Sequence, residues 1–191
     1  MSNSPLIDLL KEVISTELHL LPINNTIDIE EKQLQANCRF VKIRLKQSMP
    51  YFGFSIDIPK GTGNVDPIYP FFAEKEGLRR KNDAILFFQK SHKIYVLLVE
   101  LKSVNKGDYL KQMKAAKCFV EFILCRIKLL KSPPNIDSDN IEFRGALFSC
   151  RRIPNEGTTE RQRSIDFKDR NGLLVTENAG NQLYHIKDFL K

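Results

Sequence analysis

A chain of 191 residues with 42% hydrophobic content can bury one sizeable core, so a single domain spanning residues 1–191 is the expectation. No apolar run approaches membrane-spanning length, and MSNSPLIDLLKEV at the start lacks the basic and then apolar stretches of a secretory leader; the expectation is a soluble, cytoplasmic protein. A net charge of +7 is compatible with binding a polyanion and equally with an ordinary basic surface.

Along the chain, Ser4 and Pro5 precede a helix-period stripe of Leu6, Leu9, Leu10, Val13, Ile14 and Leu18, which predicts a first helix over Leu6 to Leu20. CRFVKIRL (Cys38 to Leu45) and FGFSIDI (Phe52 to Ile58) alternate apolar and polar residues as half-exposed strands do. PKGTGNVDP (Pro59 to Pro67) reads as a loop. As a nucleotide cradle it has only Gly61 and Gly63 behind it, with no helix start following. KNDAILFF and KIYVLLVELKS, separated by QKSH, predict a hairpin whose second strand is apolar on both faces and therefore central.

From Asp108 to about Lys131 the pattern becomes helical, with Leu110, Met113, Ala116, Val120, Ile123, Leu124 and Ile127 as the inward stripe and lysines opposite. SPPNIDSDN breaks that helix, EFRGALFSC resumes as a strand, and Arg151 to Ser164 reads as a polar, mobile loop. Ile165 to Leu190 reads as a hairpin around Arg170-Asn171-Gly172 with a closing segment YHIKDFL. Basic residues cluster at Arg79-Arg80-Lys81, at Lys106, Lys111, Lys114 and Lys117, and at Arg151, Arg152, Arg161 and Arg163; converging on one face, they would track phosphates.

The cysteines Cys38, Cys118, Cys125 and Cys150 form no C-x-x-C pair and no zinc pattern with His19, His92 or His185, so they are expected as reduced core thiols. Cys118 and Cys125, seven apart on a helix, are expected to pack on a shared face. The histidines receive no role.

The informative stretch is IYVLLVELKS. In a strand, Glu100 and Lys102 project on the same side as Val96 and Leu98, while Leu97, Val99 and Leu101 line the other. A carboxylate and an ammonium on a core strand are costly unless partnered. If Phe88 pairs with Tyr95, the hairpin register sets Asp83 opposite Glu100, and two carboxylates that close repel unless a divalent cation lies between them. A slip of one residue would turn Asp83 to the opposite face. With a metal polarising a phosphate, Lys102 could orient water and stabilise charge on a phosphoryl oxygen. The competing reading is an ordinary Glu100–Lys102 ion pair that requires no metal.

Asp83 at a strand start, Glu100-Leu101-Lys102 ending the next strand, and a following helix with Gln112 facing back resemble the PD-(D/E)xK nuclease superfamily. The resemblance covers roughly Lys81 to Leu124. It implies an α/β fold with a restriction-endonuclease-like core, a central mixed β-sheet flanked by α-helices, and a Mg²⁺- or Mn²⁺-dependent nuclease hydrolysing phosphodiester bonds. Asp83 and Glu100 would hold the metal and Lys102 would be catalytic. The implied partner is nucleic acid, DNA ahead of RNA, and the resemblance admits a homodimer. Lys106, Lys111, Lys114, Arg151 and Arg152 would grip the backbone. A nuclease-derived binding or interaction module without catalysis is the alternative.

The chain departs from the family pattern in places. Asn82 stands where the family has proline, and Ala116 stands four residues after Gln112 where an aromatic is expected. Many members add a glutamate from the first helix, for which Glu12, Glu17, Glu30 and Glu31 are the candidates. Acidic-x-Lys also occurs at Glu30-Glu31-Lys32 and Asp166-Phe167-Lys168, so context distinguishes Glu100-Leu101-Lys102.

Overall fold

The computed structural model describes residues 4–31, 33, 35–58, 66–73, 75–103, 107–131, 134, 137–150 and 165–191. Gly61, Gly63, Lys106 and the whole Arg151 to Ser164 segment, with its four arginines, lie outside the described residues.

The first helix, α1 (Pro5–Val13), begins at the proline but stops short of the expected Leu20. Ile14 turns to extended backbone, and a short 3₁₀ turn, Thr16–Leu18, follows. Val13, Ile14 and Thr16 are β-branched and Ser15 competes for backbone hydrogen bonds, so apolar spacing continues where helix propensity has run out.

Strands β1 (Thr26–Glu30) and β2 (Phe40–Arg44) pair antiparallel, each burying alternate residues. Strands β3 (Tyr51–Phe54), β4 (Ala84–Lys90) and β5 (Lys93–Lys102) form an antiparallel meander; β4 and β5 are joined through Ser91 and His92, with Ser91 in the left-handed region at φ 56°. Helix α2 (Tyr109–Ile127) then crosses over to β6 (Ile141–Ser149), which lies parallel to β5. The predicted terminal hairpin forms between β7 (Lys168–Asp169) and β8 (Leu174–Ala179), turning through Asn171 at φ 55° and Gly172 at φ 82°. Strand β9 (Leu183–His185) and the one-turn helix α3 (Ile186–Phe189) close the chain.

The result is a mixed α/β fold with two mixed sheets. Six strands run in the order β3-β4-β5-β6-β8-β7, and three run in the order β1-β2-β9, with β9 parallel to β2. The two longer helices, α1 and α2, cover one face of the large sheet, packing Leu6, Ile7, Leu10, Met113, Val120 and Ile123 onto Ile85, Phe87, Val96 and Leu98. The other face is covered by the small sheet and α3: Ile27, Ile29, Val41, Ile43, Ile186 and Phe189 meet Leu86, Leu97, Val99 and Phe148. The expected central mixed sheet thus has the two longer helices on one face and a second, smaller sheet on the other. The reason is periodicity: β1 and β2 each have one apolar face, enough to cap a sheet but not to sit inside one.

Strand β5 is sandwiched by these two clusters, its residues alternating between them from Val96 to Leu101. Each large apolar side chain buried here contributes roughly 1.5–3 kcal/mol. Helix α2 approaches the sheet closely because residue 145 on β6 is glycine; a Cβ there would come within 2.6 Å of Met113 Sδ. On α2 the inward stripe is as expected except that Leu110 is only half-buried. Cys118 and Cys125 do share a face, but it points to solvent, and both thiols are exposed rather than packed. No helix among the described residues is long and apolar enough to cross a membrane.

Candidate active site

The hairpin register decides which side chains meet at the end of β5. Phe88 pairs with Tyr95 and Ala84 with Val99, so one further step sets Asp83 beside Glu100, on the face shared with Ile85, Phe87, Val96 and Leu98. Asp83 Oδ2 accepts a hydrogen bond from the Leu101 N–H at 2.5 Å, fastening the aspartate across the hairpin. Glu100 is 1% exposed; its Oε1 takes the Lys102 ammonium at 2.6 Å, while its Oε2 is buried without a hydrogen-bond partner among the described residues.

The segment leading into Asp83 is clamped from several sides. Gln112 Nε2 on α2 donates to the Lys81 carbonyl at 3.1 Å. The Lys81 ammonium reaches Asp66 Oδ2 at 3.0 Å, and Asp66 also accepts the Ile68 and Tyr69 N–H groups. Asn82 is buried and its side-chain amide donates to the Ala84 carbonyl at 2.5 Å, bracing the turn into β4. Gln112 therefore positions the strand entry rather than reaching between the carboxylates.

Two more carboxylates bear on the pair. Burial pushes Asp83 up to about 7, with the Glu31 and Asp57 charges adding to the rise and Lys102 opposing it. Burial likewise raises Glu100 to about 8, reinforced by Asp83 and Glu31; the Lys102 ammonium pulls the other way and is outweighed. Of the N-terminal candidates, Glu31 thus reaches the site, whereas Glu12, Glu17 and Glu30 are exposed. Glu31 follows β1, held by its N–H to the Arg39 carbonyl at 2.8 Å.

Asp57 escaped the sequence reading. The signal was available in the β3–β4 register: Phe54 pairs with Ile85, so the chain beyond Phe54 runs alongside the approach to Asp83.

Among the described residues, no three His, Cys, Asp or Glu side chains converge tightly enough to cage a metal between them. What the site offers is two adjacent buried carboxylates and an unpartnered oxygen, a hard-oxygen donor set that suits a cation completing its shell with waters and phosphate oxygens.

The basic residues on α2 are partly neutralised. Lys111 and Arg80 share Asp108, at 3.2 and 2.7 Å, and Lys117 pairs with Glu121 at 2.9 Å while lying over the Phe143 ring. Lys114 is half-buried beside them. His19 closes the turn after α1, its Nε2 2.9 Å from the Ile14 carbonyl and its ring edge-on to Phe52. The chain matches no known family model, no curated protein and no solved structure.

Proposed function

We propose that this protein is a metal-dependent nuclease that hydrolyses phosphodiester bonds of nucleic acid, DNA ahead of RNA, on a restriction-endonuclease-like core made by β3 to β6 and α2. The observation that carries the reading is the convergence of Asp83, Glu100 and Lys102 at one end of the central hairpin, with a buried carboxylate oxygen left unpartnered. A structural ion pair has no use for a second carboxylate opposite it. A cation site does.

Asp83 and Glu100 would hold Mg²⁺ or Mn²⁺, which when bound polarises the scissile phosphate and acidifies a coordinated water. Asp83 is kept in place by the Leu101 N–H, so its carboxylate direction is fixed before substrate arrives. Lys102, whose ammonium lies 2.6 Å from Glu100 Oε1, would orient the attacking water and stabilise charge on a phosphoryl oxygen. Glu31 and Asp57, next to the pair, add negative charge that favours cation entry. Lys111 and Lys114, with Lys106, Arg151 and Arg152, supply backbone contacts.

One observation favours a second reading. Glu100 and Lys102 already form a direct ion pair, as they would in a nuclease-derived binding module without hydrolysis. A panel of single-stranded, double-stranded and branched DNA and RNA with Mg²⁺ or Mn²⁺ separates the two. Cleavage by the wild type, lost in Lys102→Ala with binding retained, supports the nuclease; binding without cleavage under every metal supports the module.

A further inference from the structure

Cys38, between β1 and β2, and Cys150, directly after β6, are remote in sequence, yet their sulfurs crowd one point. A Cβ built on Gly180 would stand 2.0 Å from Cys38 Sγ and 2.8 Å from Cys150 Sγ, so the missing side chain at 180 leaves the space the two sulfurs fill. The thiols interact with each other and both are free. Their backbones are tied to consecutive residues at the end of β5: the Cys150 N–H donates to the Lys102 carbonyl at 3.4 Å, and Ser103 Oγ accepts the N–H groups of Asn37 at 2.9 Å and Cys38 at 3.4 Å. The Gly180 N–H, donating to the Ser149 carbonyl at 3.0 Å, fixes the third wall.

We propose that Cys38 and Cys150 form a modification site, a dithiol that a small-molecule disulfide such as oxidised glutathione converts into an intramolecular disulfide joining the entry of β2 to the end of β6 beside Lys102. Accessibility sets the order of events. Cys150 is half-exposed and Cys38 is 1% exposed, so the reagent meets Cys150 first. The Cys150 sulfur attacks the small disulfide, forming one S–S bond and releasing one glutathione thiol. The Cys38 sulfur, losing its proton, then attacks Cys150 Sγ and expels the second glutathione. Two protein thiols are oxidised and one small disulfide is reduced to two thiols, so electrons and protons balance. The exposed pair on α2 cannot do the same: Cys118 and Cys125, seven positions apart on the helix, stand about 10 Å from each other, beyond disulfide reach.

The test uses the full-length chain carrying C118S and C125S, equilibrated with reduced and oxidised glutathione, then alkylated and digested without reductant. The expected result is loss of both remaining alkylatable thiols, a Cys38 peptide linked to a Cys150 peptide, a monomer on a non-reducing gel, and recovery of both thiols with dithiothreitol. The wild type run in parallel guards against a poorly folded variant and should give the same linked Cys38–Cys150 peptide, with any glutathione carried only on the exposed Cys118 and Cys125. Two thiols still alkylatable in the folded protein, glutathione retained on Cys150, or a disulfide between chains would each overturn the proposal.

Discussion

Glu100 and Glu142 are neighbouring-strand glutamates that each hold a cation, and they differ in what is left over. At the far end of the large sheet, Glu142 takes Lys93 on one oxygen and the Arg144 Nε on the other. Burial alone would raise it, but these two cations together hold it below the usual carboxylate range. Among the described residues Glu100 has one cation, one unpartnered oxygen and a second carboxylate opposite, and it is raised instead. Glu142 shows how this fold arranges a carboxylate whose task is structural. By that standard Glu100 is short of positive charge, and the shortfall is what a divalent cation would fill.

The sharpest break between the two glutamates should appear in cleavage. Glu100→Gln and Asp83→Asn should each lower metal-dependent kcat by roughly 10²–10⁴-fold, while Glu142→Gln leaves it unchanged. Equal losses at Glu100 and Glu142 would remove the distinction and with it the assignment of the site.

Stability should separate them by the sign of its pH dependence. Asp83 and Glu100 have folded values, about 7 and about 8, above their ordinary ones, so the folded state holds protons the unfolded state has released. Their contribution is therefore greatest below the ordinary carboxylate range and declines as pH climbs from about 4 to about 8. Urea unfolding of the metal-free protein at pH 5 and pH 8.5 measures that slope. Glu100→Gln should flatten it and make the metal-free protein more stable at the upper pH. Mn²⁺ should raise the wild-type melting temperature at pH 8.5 and do little at pH 5. A Glu100→Gln variant with an undiminished slope would mean the buried carboxylate is not what titrates.

How much of this was legible in the sequence depends on whether the signal was local. The β4–β5 register was readable because two apolar runs and a short turn leave few pairings, and its consequence, Asp83 beside Glu100, followed. The second sheet was not readable. β9 is three residues long and joins β2 in parallel from the other end of the chain, a pairing made by burial of Tyr184 and Ile186 rather than by any turn. Hydrophobic period overruns the end of α1, because the β-branched pair Val13 and Ile14 stops the helix while the apolar spacing continues. Asp57 was missed for a related reason: it lies in coil, and only the neighbouring strand's register points it at the site. The meeting of Cys38 with Cys150 depends on Gly180, which carries no side chain to announce itself.

Glu142→Gln sharpens the comparison from the other side. It leaves Arg144, 6% exposed, without its carboxylate, though the Phe189 carbonyl and the Tyr95 and Phe167 rings still hold the guanidinium. A loss of about 1–3 kcal/mol is expected at pH 7. Because the folded value of Glu142 is lowered, its contribution is present above the ordinary glutamate value and fades as pH falls through the folded one, the reverse of Glu100. Thermal melts of the variant and wild type should therefore converge in acid.

The smallest effect concerns the cations outside both glutamate sites. If α2 follows a nucleic-acid backbone, each lysine that meets a phosphate releases about one counterion, so its removal reduces the slope of log affinity against log salt by about 0.9. Lys114→Ala should show that change. Lys111→Ala should show less, because Lys111 must leave Asp108 to reach a phosphate and its removal also frees Asp108 for Arg80 alone. Lys117, held by Glu121 and the Phe143 ring, should contribute least. Fluorescence anisotropy with a labelled duplex across a salt series reads all three, and three unchanged slopes would move the nucleic-acid contact off α2 altogether.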